Sequence, residues 1–92
     1  MLRKFIIERE VPKVGSFDHT QMMGVAKTSN AALEQLGPKI QWVESYVTDN
    51  KTFCVYLAEN EELLREHSRL SGFPANIVTE VRTMIDPQTE RA

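Results

Sequence analysis

The chain has 92 residues, with 13 acidic and 11 basic side chains and a formal net charge of −2. That length holds one small domain, and the mildly acidic balance argues against a nucleic-acid clamp, which needs a clustered basic face. A lone cysteine excludes both an intramolecular disulfide framework and a cysteine-rich zinc site, and it suits a reducing compartment.

Met1-Leu2-Arg3-Lys4 is followed by only three apolar residues, Phe5-Ile6-Ile7. A secretory leader needs an apolar run of about 7–15 residues. The longest apolar run, Phe53 to Ala58, is also far short of the roughly 18 needed to span a membrane. The expectation is a soluble, cytoplasmic protein with no membrane partner. It would be a single domain over residues 1–92, with an ordered core from about residue 4 to 86 and a frayed tail over 87–92.

Lys4 to Glu10 reads as a first strand, stopped by Pro12 and the loop at Gly15. Asp18 then looks like a helix N-cap, with Gln21 placed to reach back as in a capping box. Met22, Val25, Ala26, Ser29, Leu33 and Leu36 recur at spacings of three and four, which makes one stripe on a helix. Gly37 and Pro38 end it. Gln41 to Thr48 and Lys51 to Ala58 are rich in aromatic and β-branched residues, and Asp49-Asn50 between them is a two-residue hairpin turn. Asn60 caps a second helix, with Glu61 and Glu62 in its positive first turn and Leu63, Leu64, His67 and Leu70 as its apolar stripe. Gly72, Phe73 and Pro74 stop it. Asn76 to Ile85 reads as a last strand, with Ile77, Val81 and Ile85 as the apolar positions.

The order βαββαβ in so short a chain implies an α+β fold of the ferredoxin-like kind, an antiparallel sheet with two helices on one face. A two-residue turn makes opposed hairpin residues sum to 99. Tyr46 then meets Phe53, Glu44 meets Val55 and Trp42 meets Leu57 on one face. Val47 with Thr52, Ser45 with Cys54 and Val43 with Tyr56 share the other. Both faces carry large apolar groups although two helices can cover only one. An uncovered apolar face marks an interface, so the pattern predicts a homodimer packed sheet against sheet.

Few residues carry chemistry. His67 lies four positions after Leu63 and three before Leu70, so its ring points along the apolar face. It is either a buried, hydrogen-bonded histidine or a metal ligand or general base in a pocket under the helix. Cys54 is a small buried hydrophobe unless it shares a cavity with His67, where a thiolate and an imidazole would suit a soft or borderline metal. Glu44 among aromatics must be paired, protonated or solvated, with Arg9 or Arg82 as possible partners, and Glu8 has the same ambiguity. Tyr46 and Tyr56 offer hydroxyls that could orient a ligand. No glycine-rich phosphate loop, nucleophile elbow or paired-cysteine motif is present.

Ser29-Asn30-Ala31, Leu36-Gly37-Pro38, Ile40 to Val47, Phe53 to Ala58, Arg65-Glu66-His67, Gly72-Phe73-Pro74-Ala75 and Glu80-Val81 together resemble a family of small bacterial proteins. That family is a catalogued domain of unknown function that includes a nickel-binding protein from actinomycetes, and the resemblance runs from Phe5 to Pro87. It implies a ferredoxin-like dimeric α/β barrel. It also makes Cys54 and His67, which match the family's cysteine and histidine, the first candidates for a metal site. The expectation is therefore a non-enzymatic homodimer that binds nickel or another transition metal through His67 and Cys54, with oxygen donors from Glu44 or Glu8. The alternative is a small-molecule-binding protein or enzyme of the dimeric barrel type. There His67 would be the general base, in a pocket bordered by Glu44, Tyr46, Tyr56 and Glu8.

Overall fold

The first strand, β1 (Arg3–Glu10), alternates between two environments. Phe5, Ile7 and Arg9 are buried, whereas Lys4, Ile6 and Glu8 point the other way. A computed structural model describes residues 1–91 of the chain and arranges them around this strand. Helix α1 (His19–Leu36) opens on the expected capping box. The Gln21 N–H donates to Asp18 Oδ1 at 2.8 Å, and the Asp18 N–H donates to Gln21 Oε1 at 2.9 Å. It closes at Gly37, whose φ of +77° is open to glycine, and Pro38 follows in a short 3-10 turn. Strands β2 (Ile40–Val47) and β3 (Lys51–Ala58) form the hairpin about Asp49-Asn50, and the Thr48 N–H donates to the Lys51 carbonyl at 2.9 Å. Helix α2 (Glu61–Ser71) is capped by Asn60, which accepts from the Leu63 N–H at 3.0 Å, and ends at Gly72 with φ +82°. The last strand is β4 (Ile77–Glu80).

The sheet runs β2-β3-β1-β4 with every neighbouring pair antiparallel. With two helices, this is the ferredoxin-like α+β arrangement. The core is Phe5, Ile7, Ile40, Cys54, Tyr56, Ala58 and Leu64, with Leu33, Leu36 and Val78 packed against it. In β3 every second residue from Thr52 to Ala58 is buried, while Lys51, Phe53, Val55 and Leu57 on the opposite face are only half-buried. That opposite face carries a continuous row, Tyr46–Phe53–Glu8–Ile77, in register across all four strands. Tyr46, Ile6 and Ile77 on it are exposed.

Three expectations change. The hairpin pairs with a sum of 99 only from Glu44 to Val47, because a bulge at Val43 shifts the register and sets Trp42 opposite Tyr56 rather than Leu57. Trp42 therefore joins the helix-covered face, where its indole N–H donates to Ser45 Oγ at 2.9 Å, and Val43 itself is exposed. The final strand is four residues rather than ten. Its partner β1 begins at Arg3, and the last bond is from the Val81 N–H to the Lys4 carbonyl at 2.8 Å. Its inward residue is Val78, opposite Ile7, whereas Ile77 points outward and Ile85 is exposed. The tail forms a 3-10 turn over Pro87–Arg91, and Ala92 lies outside the described residues.

Candidate functional site

The helix-covered face of the sheet does not close completely. Between α1, the hairpin and the loop after β1 lies a cavity of about 350 Å³, within the range of small-molecule sites. Met22, Val25 and Ala26 on α1 form one wall, and with Ser29 four of the six residues of the α1 stripe border this space. Val11, Val14 and Phe17 from the loop form a second wall, and Trp42, Val47 and Phe73 contribute further apolar surface. The polar groups, chiefly Arg9, Ser29, Cys54 and Tyr56, come from the middle of α1 and the inward positions of β1 and β3.

Arg9 organises that end. It points to the helix-covered face and is only 3% exposed. Its guanidinium donates to the Pro74 carbonyl at 2.7 Å, Ser68 Oγ at 3.0 Å and the Phe73 carbonyl at 3.3 Å. It also donates to the Tyr56 hydroxyl and to His67 Nδ1, both at 3.4 Å. The guanidinium carbon lies 5.9 Å from the centre of the Tyr56 ring, which adds a cation–π contact. This one side chain ties β1 to β3, to α2 and to the loop leading into β4. No motif announces it; the signal in the sequence was an arginine at the inward parity of Phe5 and Ile7.

His67 is fully buried, as its place in the α2 stripe implies. Nε2 is 3.2 Å from Ser29 Oγ, and Nδ1 faces Arg9. An arginine only donates, so Nδ1 accepts and the ring proton resides on Nε2, directed at Ser29. Burial, reinforced by the Arg9 charge, holds the His67 pKa below its usual value and keeps the ring neutral. Burial also pushes the Tyr56 phenol up, against the opposing pull of Arg9 and Ser29. The Tyr56 and His67 rings lie 5.3 Å apart.

Tyr56 is thus the one expected pocket residue that borders the cavity. Glu44, Tyr46 and Glu8 stand on the opposite face of the sheet. There the Tyr46 hydroxyl donates to Glu44, and Glu8 lies 3.9 Å from Lys51. Arg9, on the other side, cannot be the partner of Glu44. Cys54 borders the cavity, but its thiol contacts Thr52 Oγ1 at 3.5 Å. Among the described residues, no three histidine, cysteine, aspartate or glutamate side chains converge to hold a metal ion. His67 and Cys54 do not fit one either, because a divalent ion at His67 would meet the Arg9 guanidinium.

Comparison with known proteins agrees with this architecture. Residues 5–81 match the model of a family described as nickel responsive protein SCO4226-like. The crystal structure of SCO4226 from Streptomyces coelicolor A3(2) superposes with a TM-score of 0.74 at 12% identity, covering 89% of this chain and 99% of that one. At that identity the likeness is one of fold. No curated protein gives a significant match.

Proposed function

Because this chain belongs to the nickel-responsive SCO4226-like family, yet no three metal-ligating side chains converge among its described residues, we propose a reading from the cavity itself. The protein is a dimeric, non-catalytic binding protein for a small, largely apolar molecule. The observation that carries this is the cavity of about 350 Å³, bordered by apolar residues of α1 and the β1 loop, with a few polar groups from Arg9, Ser29, Cys54 and Tyr56. A general-base role for His67 is disfavoured by its tautomer. Nε2 already carries the ring proton toward Ser29, and the accepting nitrogen, Nδ1, is taken up by Arg9, whose charge opposes a second proton.

The dimer is supported by the uncovered sheet face. Its row Tyr46–Phe53–Glu8–Ile77 leaves aromatic and branched groups in water, and a second copy would bury them. The two faces then divide the labour, one binding the ligand and the other a partner copy.

The test is titration of the protein with N-phenyl-1-naphthylamine, an uncharged probe that fluoresces in apolar surroundings. Saturable binding to the wild type, lost in Ala26→Trp where the indole fills the cavity, is expected. No binding, or binding unchanged in Ala26→Trp, overturns the reading. Sedimentation velocity should give a dimer at micromolar concentration that Ile6→Lys splits, and a wild-type monomer refutes the interface. Equilibrium dialysis with nickel addresses the family's description. Uptake that is lost in both His67→Ala and Cys54→Ser would replace this reading with a metal site.

A further inference from the structure

The polar end of the cavity is short of acceptors. Arg9 is a buried cation, and each of its hydrogen-bond partners is neutral: two carbonyls, two hydroxyls and an imidazole nitrogen. Among the described residues no carboxylate lies within ion-pairing distance of it. A neutral amide could satisfy carbonyls; a guanidinium brings in addition a charge that nothing in the protomer answers.

His67 donates from Nε2 to Ser29 Oγ, so the serine proton is free to be given elsewhere. Tyr56 accepts from Arg9, so the phenol proton is free as well. Neither hydroxyl donates to a third group among the described residues, so these two can at most satisfy one proton by bonding to each other. One hydroxyl proton is left over, on residues that border the cavity, with the Arg9 charge directly behind. Burial keeps the phenol protonated, so Tyr56 does not itself supply the missing negative charge.

From this we infer that the cavity receives an organic monoanion: a carboxylate on a compact apolar body, its oxygens accepting from Tyr56 and Ser29 with Arg9 as the countercharge. The inference rests on the cavity being a ligand site, as read above, and adds the class of ligand. The apolar walls hold the body, while the hydroxyl pair relays the arginine's charge to the carboxylate in a low-dielectric setting.

Calorimetric titration of the full chain near neutral pH with three compounds of one shape separates the possibilities: 2-naphthoate, 2-naphthylmethanol and 2-naphthylmethylamine. Naphthoate should bind at least tenfold more tightly than the alcohol, and the amine most weakly. Tyr56→Phe should remove most of the advantage of the acid over the alcohol, and Arg9→Gln, checked by circular dichroism, should abolish it. The wild-type series and Tyr56→Phe decide the matter even if Arg9→Gln does not fold. Equal affinities for acid and alcohol, both lost in Ala26→Trp, overturn the anion and leave the cavity reading intact. Failure of all three compounds to bind, or acid binding that persists in Ala26→Trp, overturns the inference together with the site.

Discussion

Replacing Gly15 by alanine probes the seam between the loop after β1 and the tip of the hairpin. The seam is stitched by backbone groups. The Val11 N–H donates to the Asn50 carbonyl and the Gly15 N–H to the Asp49 carbonyl, both at 3.0 Å, while the Lys13 N–H donates to Asn50 Oδ1 at 2.9 Å. A β-carbon on residue 15 would lie 2.7 Å from the Thr48 carbonyl oxygen and 2.8 Å from the Asp49 α-carbon. Ordinary contact begins at 3.4 Å, so the two backbones must part by about 0.7 Å. That stretches the Gly15–Asp49 bond beyond useful hydrogen-bond length. With about 1 kcal/mol for each bond weakened, Gly15→Ala should lose about 1–3 kcal/mol of stability. The melting temperature should fall by about 4–8 °C for each kcal/mol lost. Urea denaturation followed by Trp42 fluorescence measures the loss. The same loop supplies Val11, Val14 and Phe17 to the cavity, so the affinity for N-phenyl-1-naphthylamine should drop in parallel. A variant within about 0.5 kcal/mol of the wild type, the range of an unremarkable surface change, refutes the reasoning.

Two further outcomes follow from the site and the caps. The folded state holds His67 below its usual pKa, so the unfolded chain binds the proton more readily and acid favours unfolding. Above about pH 6.5 this contribution to stability is fully present, and below that it is lost at up to about 1.4 kcal/mol per pH unit. Denaturation midpoints measured from pH 8 to 5 should show this fall, and His67→Gln should flatten it. Asp18→Ala removes the side-chain acceptor of the capping box and should cost about 1 kcal/mol by thermal melting, whereas Asp18→Asn should cost much less.

Much of this fold is written locally, which is why it can be read from the chain. Asp18 with Gln21, Asn60 before two glutamates, and Gly72 before Phe73-Pro74 each state a helix boundary in adjacent residues. The hairpin turn is equally local. What escaped the sequence was set by partners distant in the chain. The register slip at Val43 is not marked by any glycine or proline, and the length of β4 depends on where β1 starts. The site was harder still. His67 was legible as buried from its spacing, but the identity of its neighbours was not. Arg9 reads as an ordinary charged strand residue until the parity of Phe5 and Ile7 turns it inward beside Ser29 and Tyr56. Glu44 and Tyr46, singled out as a carboxylate among aromatics, belong to the face that neither helix covers.

The bulge at Val43 has a consequence for how such a chain can diverge. Because a strand's side chains alternate, one inserted residue acts as a phase shift: positions nearer the turn keep one parity and positions nearer α1 take the other. A substitution alters one side chain, but pairing Val43 into the ladder, so that opposed residues again sum to 99, would turn over the whole segment Ile40–Trp42, whereas deleting Val43 would only straighten the strand with Trp42 still opposite Tyr56. The bulge-free register would hand the indole of Trp42 from the ligand chamber to the outer face in a single step. In this hairpin, a slip of register is therefore the change that can trade recognition of a small molecule against recognition of another protein surface, while the backbone path barely changes.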